Sequence, residues 1–169
     1  MAKAPKLLAD LFLDTLKDVY FAEKKIYAAL PKMAKAAQNE DLQAAFEKHR
    51  GETEGQIKRL EDVFAEIGEK PQGKTCAAIT GILDEGAEIM DEYKGSPALD
   101  AGLLAAAQAV EHYEMSRYGT LCAWADELGH TKAVDLLEAT LDEEEATDEA
   151  LSVLAEDVIN QEADVETAG

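Results

Sequence analysis

The sequence predicts an all-α fold, a four-helix bundle carrying one additional short helix, and three observations support that reading. Alanine, leucine, glutamate and lysine dominate, proline occurs only four times in 169 residues, and β-branched runs are missing, which is the composition of helices rather than sheets. Start and stop signals cut the chain into four long segments and one short one. Each long segment has an apolar stripe at helical spacing, and each stripe is interrupted by an acid where a core would ordinarily take leucine: Glu23, Glu52, Glu111 and Glu144. A chain of this length is one domain, here residues 1–169 with a core at about 7–160 and an acidic C-terminal tail.

The first helix is expected from about Pro5 to the Ala36-Ala37-Gln38 region, ending at the polar Asn39-Glu40-Asp41, which is both a stop and a fresh N-cap. Pro31 predicts a kink or break near Leu30. The second helix runs from about Asp41 to Ile67 and is closed by Gly68. Pro71-Gln72-Gly73 forms a loop, Thr75 to Tyr93 reads as the short helix, and Gly95 ends it. Ser96-Pro97 is an N-cap followed by proline at the first helical position, and that third long helix reaches Leu128 before the stop at Gly129. The fourth runs from near Thr131 to about Asn160, beyond which the acidic end is expected to fray.

Counting 100° per residue tells which side chains point inward. Leu8, Phe12, Leu16, Val19, Ile26, Tyr27 and Leu30 share the face of Glu23. Leu104, Ala107, Gln108, Glu114, Met115, Tyr118, Cys122 and Ala125 share that of Glu111, so both acids of the Glu111-x-x-Glu114 pair face the core. Ala133, Leu137, Thr140, Leu141, Asp148, Leu151, Ala155 and Val158 accompany Glu144, while Glu143 and Glu145 point elsewhere. On the second helix Ala45, His49, Glu52, Gln56, Leu60, Val63 and Ile67 form a row, with His49 and Gln56 near its centre and Glu52 at its edge. A weak repeat points the same way: Glu23 to Glu52 is a step of 29 residues and Glu114 to Glu144 one of 30, as expected of two helical hairpins related by a pseudo-twofold axis.

Charge narrows the partners. The formal net charge is −20, and no Lys or Arg follows Lys132; both facts argue against nucleic acid or an anionic membrane, which reward basic surface. No signal peptide and no stretch approaching the roughly 18 apolar residues of a membrane span is read, so a soluble, cytoplasmic protein is expected. Cys76 and Cys122 are expected as isolated, small buried side chains, a disulfide between them remaining an alternative.

Buried carboxylates stay ionised only when paired with a cation, so several on one level of a bundle imply a metal site, most naturally two divalent ions held between four helices. Iron and manganese suit carboxylate oxygen with a little imidazole. The first-choice ligands are Glu23, Glu52, Glu111, Glu114 and Glu144, with His49, Gln56 and Asp148 in a second tier and Tyr20 and Tyr118 near enough to hydrogen-bond a ligand. The bland readings stand beside these: a glutamate of an acidic chain is usually solvated, His49 is as readily a core histidine bonded to a carboxylate, and the tyrosines are core packing. His112 is expected to face another helix or solvent, and His130 to lie at a turn or cap.

The segments 18–24 (Asp-Val-Tyr-Phe-Ala-Glu-Lys), 49–57 (His-Arg-Gly-Glu-Thr-Glu-Gly-Gln-Ile), 107–114 (Ala-Gln-Ala-Val-Glu-His-Tyr-Glu), 118–121 and 146–148 resemble the YciE/YciF-like family of bacterial, stress-associated ferritin-like proteins. The resemblance runs from about Leu7 to Asn160 and implies a ferritin-like bundle with an added short helix, assembled as a homodimer rather than a storage shell. Wider rubrerythrin-like relatives place Glu on the first helix, Glu-x-x-His on the second, Glu-x-x-Glu on the third and Glu with a later His on the fourth. Glu23, Glu52, Glu111 with Glu114, and Glu144 match, whereas Gly55 and Thr147 or Asp148 stand where the histidines are expected. His49, one turn before Glu52, is the candidate substitute. Two readings follow: a di-iron or di-manganese protein acting on dioxygen or peroxide or oxidising ferrous iron, and a non-enzymatic helical stress protein with a structural or vacant acidic site. No Cys-x-x-Cys electron-transfer module is present, so redox turnover would draw on an external electron donor of unknown identity.

Overall fold

A computed structural model of the chain describes residues 5–164, and these form helices joined by short loops with no strand among them. The long helices are α1 (Leu8–Ala36), α2 (Glu40–Glu66), α4 (Leu99–Glu127) and α5 (Thr131–Leu154), with the short α3 (Ala77–Glu92) between the two hairpins. A single π-turn, Ala155–Ile159, carries α5 into the last turn α6 (Asn160–Ala163). The acidic tail expected to fray is thus helical as far as Ala163, and the rest of it lies outside the described residues.

The helix ends follow the local chemistry. Asn39 caps α2, its side-chain oxygen accepting from the backbone N–H groups of Asp41 and Leu42. Gly68, Gly95 and Gly129 all have φ between 75° and 78°, the left-handed conformation that closes a helix at least cost in glycine. After Gly68 and Gly129 the Glu69 and His130 N–H groups reach back to the carbonyls of Phe64 and Ala125, which satisfies the last turn. Two expectations need correction. Of the kink or break expected near Leu30, the break is absent: α1 runs on through Pro31 to Ala36, the proline ring removing a single N–H bond from a long helix. α4 starts at Leu99 with Ala98 at its cap, since Ser96 spends its hydroxyl on the Ala98 N–H and its carbonyl on the Leu99 N–H in a preceding turn.

Around the bundle α1 packs on α2, α2 on α5, α5 on α4 and α4 back on α1, while α3 lies outside across α1 and α4. The buried Asp100 carboxylate of α4 accepts the Gln38 and Asn39 N–H groups, pinning the α1–α2 turn to the opposite hairpin. The apolar interior forms two separate clusters. One contains Ala22, Ile26, Leu30, Phe46, Ile79, Leu103, Ala107 and Leu151. The other contains Phe12, Leu16, Tyr20, Leu60, Phe64, Tyr118, Leu121 and Leu137. Between them lies a polar layer.

Candidate metal centre

Each long helix supplies this layer from its inward face. Glu23, Glu114 and Glu144 have no exposed surface, and Glu111 is 1% exposed. Desolvating a carboxylate costs several kcal/mol, against roughly 1.5–3 kcal/mol gained by burying a leucine in its place. Packing therefore does not explain why this level of the bundle is acidic.

His49, Glu111, Glu114 and Glu144 each offer one ligand atom within 4.8 Å of the others. His49 Nε2 lies 3.2 Å from Glu111 Oε1, and its Nδ1 is 3.9 Å from Glu52 Oε2. Glu23 joins from α1, one oxygen receiving the Tyr118 hydroxyl proton in a short hydrogen bond. The other oxygen of Glu23, one each of Glu52 and Glu111, both of Glu114 and both of Glu144 are buried with no hydrogen-bond partner, as are both ring nitrogens of His49. Unpaired buried acceptors in such number are rare in folded proteins.

The electrostatics record the strain. Burial, then the Glu144 charge, pushes Glu23 up to about 8 against the pull of the Tyr118 hydrogen bond. Burial raises Glu111 to about 7 and, with Glu111 close by, Glu144 to about 10. Glu114 is driven well above the carboxylate range by burial and by Glu23, Glu144 and Glu111. Burial works against a charge on His49, but the surrounding carboxylates, Glu52 first, outweigh it and hold its pKa up. Glu52 is lowered, by His49 first and by Lys48. A metal-free layer therefore holds itself together by keeping protons, and a cation would replace them.

The expected residues separate into those that meet and those that do not. Glu23, His49, Glu111, Glu114 and Glu144 converge. Glu52 sits at the rim, a quarter exposed, with one oxygen on Lys48 at 2.6 Å and the other turned inward. Gln56 is buried beside it, donating to Glu143 while its carbonyl oxygen has no partner. Asp148 stays out: its oxygens accept from Gln108 and contact the exposed His112 at 3.1 Å, on the α4–α5 surface. Tyr20 also turns away, donating to Glu61 and packing edge-on against Phe64, whereas Tyr118 does reach the layer. Cys76 and Cys122 are both free thiols. Sequence reasoning missed the Arg59 guanidinium, which grips Glu143 at 2.8 Å and so orients Gln56; Glu143 lies off the inward phase, but Arg59, only about 20° from Glu52, carried a signal that could have found it. Thr147, named from the sequence only as standing where a histidine is expected, has a buried, unpartnered hydroxyl.

Comparison with known proteins follows from this geometry. The family described as "Domain of unknown function (DUF892)" matches residues 7–164. The chain belongs to that family. It is 43% identical to Protein YciF of Escherichia coli strain K12 over 160 residues, covering 94% of this chain and 96% of that protein. The crystal structure of that E. coli stress protein superposes with a TM-score of 0.88 at 42% identity, covering 93% of this chain and 99% of the other. YcfI of Rhodopseudomonas palustris, provisionally described as structural, gives 0.85 at 45% identity over 90% and 97%. A Xanthomonas campestris protein at 19% identity and a TM-score of 0.71, over 92% and 96%, shares the fold. Among the described residues no helix is long and apolar enough to cross a membrane.

Proposed function

We propose that this chain is a ferritin-like carboxylate protein holding two divalent ions, iron first and manganese second, and reacting with dioxygen or peroxide or oxidising ferrous iron. The observation that supports the reading is the set of unpartnered buried oxygens on Glu23, Glu52, Glu111, Glu114 and Glu144 around the two free nitrogens of His49. That donor set, oxygen-rich with one imidazole, fits hard to borderline divalent ions. When bound, the ions would supply Lewis acidity and electrons. The chain's own residues do the rest. Tyr118 holds Glu23 by its hydroxyl proton, Arg59 and Glu143 fix the Gln56 amide, and the two apolar clusters keep bulk water from the layer. The setting we infer is a bacterial stress response, as the description of the E. coli relative as a stress protein suggests for that protein, with a homodimer as the assembly.

The second reading is a non-enzymatic structural protein, in line with the description of YcfI. Anaerobic reconstitution with ferrous iron separates the two. Metal analysis should find two ions per chain, and Glu114→Ala or Glu144→Ala should remove most of them. Wild-type occupancy near zero would discard the metal reading. Bound iron that oxidises no faster with oxygen or peroxide than free ferrous iron in the same buffer would leave the structural reading.

A further inference from the structure

Beside the carboxylate layer, on the α3 side, two small, mainly apolar and partly open cavities lie back to back. The first has His49, Glu111 and Thr147 in its wall, with Ile26, Leu30 and Leu151 among the apolar residues around them. The second is walled wholly by apolar residues, among them Ile82, Met90 and Ala106. Ala29, Met33, Leu83 and Val110 belong to both walls. Each leaves about 20 Å³ for the centre of a water-sized sphere, slightly more than the ~10–15 Å³ that a single water needs.

Size admits a small molecule, and polarity selects which. A buried water wants two to four hydrogen-bond partners, and the second cavity has no polar side chain in its wall. Hydrogen peroxide, with two donors and several acceptors, would be left unsatisfied there too. Dioxygen forms no strong hydrogen bonds and loses little on leaving water. The space itself comes from small residues: Ala29, Ala106 and Ala107 stand where larger side chains would close it.

We propose that the paired cavity beneath α3 is a binding site for dioxygen that leads to the His49–Glu111 face of the carboxylate layer. As a route to chemistry this rests on the metal reading above; as a binding site it does not. Polar reactants would reach the same layer by another side, where Glu52 is a quarter exposed.

The test uses the full chain. In the metal-free protein, methyl NMR spectra under pressurised oxygen and under nitrogen should show paramagnetic relaxation of the Leu83 and Val110 methyls several-fold stronger than that of Val63 and Leu137 in the other apolar cluster. Ala29→Leu, and independently Leu83→Phe, should abolish the difference by filling the shared wall. In the iron-loaded protein the same variants should slow oxidation by dioxygen several-fold and leave oxidation by peroxide unchanged. Equal relaxation at Val110 and Val63 in the wild type would overturn the binding site, whatever the metal does. Slowing of both oxidants alike would overturn the route. Cavity relaxation with no ferrous oxidation by either oxidant would sustain the site and refute the oxidative reading of the metal centre instead.

Discussion

The two apolar clusters flank the same acidic layer yet are built differently. The cluster around Phe12, Phe64, Tyr118 and Leu121 is filled by large side chains, four of its members being aromatic, and Tyr20 meets Phe64 edge to face. The cluster around Ile26, Leu103 and Leu151 contains Ala22, Ala34, Ala37 and Ala107 and needs a fifth helix, α3, to cover it. Both small cavities beside the layer lie in that second cluster or at its edge. The difference teaches that one half of the bundle serves stability, while the other accepts incomplete packing next to its reactive groups. Empty space forfeits dispersion contacts, so its presence beside His49 and Glu111 is a cost borne where a small ligand could use it.

Truncation should break the comparison most visibly. Leu137 and Leu151 are 1% and 3% exposed on the same helix, on opposite sides of Glu144. Leu137→Ala should cost near the upper end of the range for such changes, ~4–5 kcal/mol, and Leu151→Ala, which already borders a cavity, ~2–3 kcal/mol. Chemical denaturation measures both, and equal losses would show that the halves are packed alike.

The layer between them should respond to pH and metal. Glu111, Glu23 and Glu144 have folded values of about 7, 8 and 10 against an ordinary 4.5. Between those limits the folded chain binds more protons than the unfolded one, so stability falls as pH rises. The contribution is whole below pH 4.5 and is lost progressively up to about 10. Ferrous iron or manganese at a hundred times its Kd should return about 2.7 kcal/mol for each ion bound, about 5.4 kcal/mol for two, which is roughly 11–22 °C in Tm for a chain of this size. A melting curve unchanged by saturating metal in a protein shown to bind it would contradict a buried site.

Enlargement gives the smallest and most discriminating effect. Ala125 lies in the tightly filled cluster and Ala107 borders the cavity, both on α4. Ala125→Val should destabilise by ~1–3 kcal/mol through overpacking, whereas Ala107→Val should be close to neutral because it enters existing space. Equal destabilisation by the two would mean that the cavity is already filled by side-chain motion.

Much of the site was legible in the sequence because helical phase is local. Glu23, Glu111, Glu114 and Glu144 are inward by simple angle counting, and all four are buried. The same counting put Asp148 on the face of Glu144, and Tyr20 was expected within hydrogen-bonding reach of a ligand; neither joins the layer. Asp148 shares the face of Glu144 to within about 40°, but its short side chain meets Gln108 and His112 of α4 before it can reach the layer. Tyr20 lies about 60° from Glu23, far enough round α1 to find Glu61 on α2. Phase names a face, whereas partners depend on side-chain length and on which helix stands opposite.

The sequence by itself determined the helices, their glycine stops, the Asn39 cap and the inward acids, because those follow from backbone conformation and a 3.6-residue period that any segment carries within itself. Only the tertiary structure decided that His49 meets Glu111, that Glu52 remains at the rim with Lys48, and that small residues from α1, α3 and α4 leave apolar space beside the layer. Those outcomes are sums over several helices, set by interhelical distance and by the volumes of side chains far apart in the chain, and no local pattern encodes them.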